Sequence, residues 1–171
     1  MHFLRIFFVF YLISSPALSN DKIPVKYIDL NFIVNNSIVG KKIKDLKIKE
    51  KKKLEKEHKK IEKNLLNKKN EILSKKNVLS EEEFKNEADS HQKKVNEYEN
   101  KKKQDFEEMA KKNLKLSRDF LIKIDKLVIE YARNNSIDLL LKKDALIVSN
   151  SSLDITKAIL EEVDKTIKKV N

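Results

Sequence analysis

Apolar residues recur along most of this chain at steps of three and four, separated by long polar stretches and few turn signals. Leu54, His58, Ile61, Leu65 and Ile72 follow one another at intervals of four, three, four and seven, with Lys68 in the one missing place. That spacing marks a seam on one α-helix packed against another. A stricter run follows: Phe84, Ala88, His91, Val95 and Tyr98. After an eight-residue step it resumes with Phe106, Ala110, Leu114, Ser117, Leu121, Ile124, Val128 and Tyr131. The step reads as a one-residue slip, a local change of winding. Between the two runs, Lys75-Lys76-Asn77 ends the first helix. Ser80-Glu81-Glu82-Glu83 opens the second as a capping box with an acidic first turn.

Lys41 to Leu79 and Ser80 to Arg133 are therefore expected as antiparallel helices, with Asn77 to Leu79 at the tip. A fold near Val78 sets Ile72 against Phe84, Leu65 against His91, Ile61 against Val95 and His58 against Tyr98. The absence of breakers agrees: Gly40 is the only glycine, and Pro16 and Pro24 are the only prolines. The second helix is the longer, and its end near Ile124 to Tyr131 is expected to pack on a small body.

The flanks change period. Pro24 to Asp29 alternates apolar and polar residues, as a strand does. Asp29 then caps a short apolar helix containing Leu30, Phe32, Ile33 and Val34. Ser37 caps the next, and Gly40 marks a close backbone contact at the root of the arm. Beyond Asn134-Asn135-Ser136, Ile137 to Leu141 and Ala145 to Ser149 read as two strands joined by a loop at Lys142-Lys143-Asp144. Asp154 starts a final amphipathic helix with Ile155, Ile159, Val163 and Ile167 on one face. The expected fold is α+β and mainly α: strand, helix, long helical hairpin, two strands, helix. Residues 20–40 and 134–171 make a β-body and residues 41–133 a protruding coiled-coil arm.

The N-terminus has a different character. A basic Met1–Arg5, an apolar Ile6–Ile13 and small residues through Ala17-Leu18-Ser19 read as a signal peptide over residues 1–19, cleaved after Ser19. The apolar run is too short for a membrane span. The mature protein is then expected outside the cytoplasm, and with no cysteine it folds without disulfides.

The net charge of +11 is unevenly placed. Residues 41–79 hold sixteen lysines against six acidic residues, a net +10, whereas residues 80–133 balance thirteen basic against thirteen acidic. The first arm helix would attract an anionic partner, and export argues against nucleic acid. A genome rich in A and T would also favour lysine, though not its concentration on one helix. Apolar residues beyond the seam, namely Ile48, Leu66, Leu73, Leu116 and Phe120, exceed the two positions in seven that a seam uses. They are expected to present adhesive surface, Leu66 and Leu73 above all.

No catalytic arrangement is visible. After the leader, His58 and His91 are the only histidines, and both fall on the seam. No metal spacing, phosphate loop or nucleophile elbow accompanies them. The expectation is a protein that is not an enzyme and carries no metal or cofactor.

The order of elements resembles the Skp/OmpH family of periplasmic chaperones for outer-membrane proteins. The local likeness lies in Val25-Lys26-Tyr27-Ile28-Asp29, Asn35-Asn36-Ser37 through Gly40-Lys41, Ile137 to Leu141, Ala145 to Asn150, and Asp154-Ile155-Thr156. The resemblance implies a periplasmic homotrimer whose strands form one β-barrel body, with three arms around a cavity that holds an unfolded outer-membrane protein without ATP. Three short strands per chain leave edges that need partners, which agrees. Client contacts are then expected at Leu66, Leu73, Lys51, Lys52, Lys53, Lys59 and Lys60. The alternative is an exported structural or adaptor coiled coil that binds one defined partner or an anionic membrane surface.

Overall fold

Strand β1 (Val25–Ile28) leads through Asp29 into helix α1 (Leu30–Asn36). The Asp29 carboxylate accepts from the Phe32 N–H at 2.8 Å, satisfying a donor that the first helical turn leaves free. This computed structural model describes residues 23–169, so the expected signal peptide lies outside the described residues.

Ser37 is the pivot between α1 and α2 (Ile38–Ser74). Its N–H donates to the Ile33 carbonyl at 3.0 Å, and its hydroxyl accepts from the Gly40 N–H at 3.1 Å. Gly40 is required by space rather than by backbone angle. A Cβ there would lie 1.8 Å from the Val34 carbonyl oxygen. With no side chain at Gly40, the end of α1 lies directly on the start of the arm.

Helix α2 runs for 37 residues and α3 (Glu81–Asn134) for 54. At about 1.5 Å per residue they are roughly 55 and 80 Å long. The tip is a turn in which the Val78 and Leu79 N–H groups both donate to the Lys75 carbonyl. Ser80 and Glu83 complete the capping box that starts α3. Helix α3 ends where Ser136 takes φ 52°, and the Ile137 N–H returns to the Ala132 carbonyl at 2.9 Å. Strand β2 (Leu139–Lys142) follows and pairs parallel to β1, Val25 opposite Leu139 through Ile28 opposite Lys142.

The last helix, α4 (Thr156–Thr166), closes the body. Its Ile159 and Val163 are fully buried with Ile33 of α1 and Phe120 and Ile124 of α3. Ile28, Val39 and Ile43 join the same cluster. Both ends of the described chain thus enclose the root of the hairpin. Ile124, Leu127, Val128 and Tyr131 pack here, as their place at the end of the second seam predicts.

The mainly helical architecture matches the expectation, with corrections. Helix α2 begins at Ile38 and ends at Ser74, inside the Leu79 limit, because the tip turn takes the intervening residues. Ala145 to Ser149 is not a strand. Lys143–Ala145 forms a 3₁₀ turn, and Ile147 and Val148 stand 101% and 88% exposed. Within one chain this run finds no strand to pair with: β1 holds β2 on one edge and bridges Asp154 from Tyr27 on the other. Phe120 is not surplus surface but core, at 1% exposure, and Leu116 packs against that core. Asp154 precedes the cap of α4 and accepts from the Thr156 N–H at 2.8 Å.

Two substitutions test the root. Gly40→Ala forces α1 and the arm apart and should cost about 1–3 kcal/mol. Phe120→Ala should cost about 3–5 kcal/mol by leaving a cavity. Urea unfolding followed by circular dichroism measures both; a Gly40→Ala protein as stable as the parent would contradict the close approach.

Candidate functional site

The arm is thin. Beyond the root, His58 and Ile72 are the only buried side chains of α2, and those of α3 are partly exposed. A two-helix seam can bury one stripe per helix, so every other position faces solvent. Arm chemistry is therefore surface chemistry.

The seam brings His58 and Tyr98 together as expected, whereas Ile61, expected against Val95, stands 41% exposed. His58 and Tyr98 meet with ring centroids 5.6 Å apart. Leu65, Ile72, Phe84, His91 and Val95 line one open groove near the tip. Toward the root the pairing departs from a mirror through Val78. His58 also stacks on Phe106 at 5.6 Å, Glu50 pairs with Lys112 at 2.5 Å, and Lys47 hydrogen-bonds Ser117. At the eight-residue step, two aromatic residues of α3 share the single His58 of α2.

Tyr98 ties this level together. Its hydroxyl donates to the Glu62 carboxylate at 2.9 Å, with the His58 carbonyl oxygen a more distant second acceptor at 3.3 Å, while Lys102 binds the Glu62 carboxylate at 2.6 Å. Hydrogen bonds from Lys102 and Tyr98 hold Glu62 below the usual carboxylate range. Burial, and then the bond to Glu62, pushes Tyr98 up to about 12. At the tip, Lys75 and Lys68 bring Glu71 down to about 2.

The groove beside the seam has a volume of about 530 Å³. Its floor is apolar, with Leu66 and Leu73 along one side at 57% and 52% exposure. Ala88 also lines it. Glu62, Lys69, Glu99 and Lys102 form the rim. The opening suits side chains of another polypeptide better than a small molecule, which prefers an enclosed cavity.

Lys51, Lys52, Lys53, Lys59 and Lys60 are all exposed on α2 nearer the root. Lys51 and Lys53 pair with Glu55 and Glu57 at 3.7 and 3.9 Å, at a side-chain exposure where such pairs contribute little. Lys52, Lys59, Leu66 and Leu73 are spaced by sevens, so they follow one line along α2, basic toward the root and apolar toward the tip. Sequence reasoning named these four without joining them. It missed Lys49, Lys56 and Lys63, which extend the basic face at the same three-and-four spacing and have no acidic partner within 4 Å among the described residues. That spacing was the signal available.

No cluster of three or more histidine or acidic side chains able to hold a metal occurs among the described residues. No described helix is long and apolar enough to cross a membrane.

The family model for the outer membrane protein (OmpH-like) family matches residues 24–163. The chain belongs to that family. No curated protein matches it. Among solved structures, this OmpH-like chain is similar to an OmpH-like protein of Caulobacter crescentus, described there as a candidate outer membrane chaperone. The TM-score is 0.81 at 22% identity over 96% of this chain and 95% of that one. Agreement over nearly the whole length of both confirms the body-and-arm fold.

The Tyr98 pair predicts a pH limit. A tyrosine whose folded value lies above its unfolded value of about 10 adds stability below pH 10, and that stability is lost as pH rises toward 12. Tyr98→Phe should remove this dependence and cost about 0.5–1.5 kcal/mol at neutral pH. Alkaline melts of both proteins provide the check; identical alkaline profiles would count against the pairing.

Proposed function

We propose that this protein is an ATP-independent holdase that keeps unfolded outer-membrane β-barrel proteins from aggregating in the periplasm. The observation that carries this reading is the line Lys52, Lys59, Leu66, Leu73 beside an open apolar groove, on an arm with almost no interior of its own. Charge along the first half acts at a distance, over a Debye length of about 8 Å at physiological salt. Apolar side chains along the second half then hold the captured chain, at about 25 cal/mol per Å² of apolar area buried. Many shallow contacts suit a client without fixed structure, because a deep pocket would select one sequence. Family membership supports the same reading.

The working form is a homotrimer, with residues 20–40 and 134–171 as a shared body and residues 41–133 as three arms around the client. The exposed Ile147 and Val148, beside a sheet of two short strands, favour this assembly. Residues 1–19 direct export. The function requires no catalysis and no cofactor, and the basic face of α2 also suits an anionic membrane surface.

Stopped-flow mixing with a urea-diluted barrel protein tests the charge component. Replacing Lys51, Lys52, Lys53, Lys59 and Lys60 by Gln should slow capture, as added salt should, while release changes little. Capture that ignores both changes would remove electrostatics from the mechanism. Sedimentation at micromolar concentration should give a trimer whose melting temperature rises with concentration; a monomer there would overturn the assembly.

A further inference from the structure

His58 is the one fully buried polar side chain of the arm among the described residues, at 3% exposure. Its ring stacks on Phe106 at 24° and tilts against Tyr98 at 56°, with both centroids 5.6 Å away. Neither ring nitrogen has a hydrogen-bond partner among the described residues. The Asp105 carboxylate lies 3.4 Å from Nε2, close but out of hydrogen-bonding alignment. Leu or Ile fills the neighbouring seam positions of α2, and packing alone makes no demand for an imidazole here. Two desolvated ring nitrogens without partners are instead a cost that the site carries in its neutral form.

The charges around the ring are fixed from both helices. From α3, Asp105 faces Nε2 and is itself held by Lys101 at 2.6 Å. From α2, Glu62 sits one turn away, bound by Lys102 and by the Tyr98 hydroxyl. Both lysines lie on the solvent side, with side chains 66% and 43% exposed. Asp105 is only 20% exposed, so the charge nearest the ring is the carboxylate. A neutral imidazole has one N–H; the imidazolium donates from both nitrogens.

We propose that His58 and Asp105 form a proton-operated clamp at the waist of the arm. Protonation of His58 turns the 3.4 Å contact into a charge-assisted hydrogen bond between α2 and α3. Such bonds are shorter, about 2.7–2.9 Å, and roughly twice as strong as neutral ones. The clamp acts at the level of the eight-residue step between Tyr98 and Phe106 of α3, the place where regular seam packing is interrupted. The clamp closes with the protonated ring, stiffening the arm at its middle, and opens with the neutral one. The inference concerns the arm itself and holds whether or not the arm carries clients.

Hydrogen exchange of the intact protein, read by mass spectrometry over residues 54–62 and 98–110, tests it. After correction for the intrinsic effect of pH, exchange should be about fivefold slower near pH 5.5 than near pH 7.5, the low end of the usual coupling range. Asp105→Asn and His58→Gln should abolish the difference, and His91→Gln should keep it. An unchanged or faster rate in acid, or a full response in Asp105→Asn, would overturn the clamp. Should either variant fail to fold, nitrogen-15 NMR of the unaltered protein decides. A slowly exchanging His58 Nε2 proton in acid supports the clamp, and its absence there contradicts it.

Discussion

The packing of Phe120 and Ile124 against Ile33, Ile159 and Val163 is what makes the rest of the molecule possible. An arm of two long helices buries too little of its own surface to hold a fixed direction. At the root, α1, α4 and the start of α2 enclose the end of α3, and the apolar cluster there has members with no exposure at all. Gly40 lets the end of α1 approach the arm without an intervening side chain. Burial is concentrated at one end of the molecule, which leaves apolar side chains such as Leu66 and Leu73 exposed toward the other.

That division accounts for the chemistry of the arm. Residues that would be a liability in a compact domain, such as half-exposed leucines beside an open groove, are here spread along a single line. The sixteen lysines of residues 41–79 leave the first arm helix strongly positive, a field that attracts anionic chains. Ion pairs such as Lys102 with Glu62 and Lys112 with Glu50 cross the seam, although at their exposure they add little energy. Where the seam is interrupted, between Tyr98 and Phe106, a histidine takes the place of an aliphatic residue, and the arm gains a point that can respond to its surroundings.

Much of this was legible in the sequence because helices announce themselves locally. The capping box at Ser80, the caps at Asp29 and Ser37, and the three-and-four spacing each depend on residues within one or two turns. Gly40 was legible because a lone glycine in a breaker-free stretch signals a close approach. What escaped depends on distant partners. Phe120 looks like surplus on a helical wheel of the arm, and only the body, built from both ends of the chain, turns its side into core. Ala145 to Ser149 has the composition of a strand, but one chain supplies no neighbour for it. The eight-residue step past Tyr98 was visible, yet one histidine shared by two rings required both helices.

The central claim is that the outward line on α2, and not an enclosed site, holds an unfolded chain. Light scattering during dilution of a urea-unfolded outer-membrane β-barrel protein tests it most directly. The unaltered protein should suppress aggregation without ATP, and a Leu66→Ser, Leu73→Ser variant of unchanged helicity should lose much of that protection. Full protection by the variant, or none by the unaltered protein, would contradict the account.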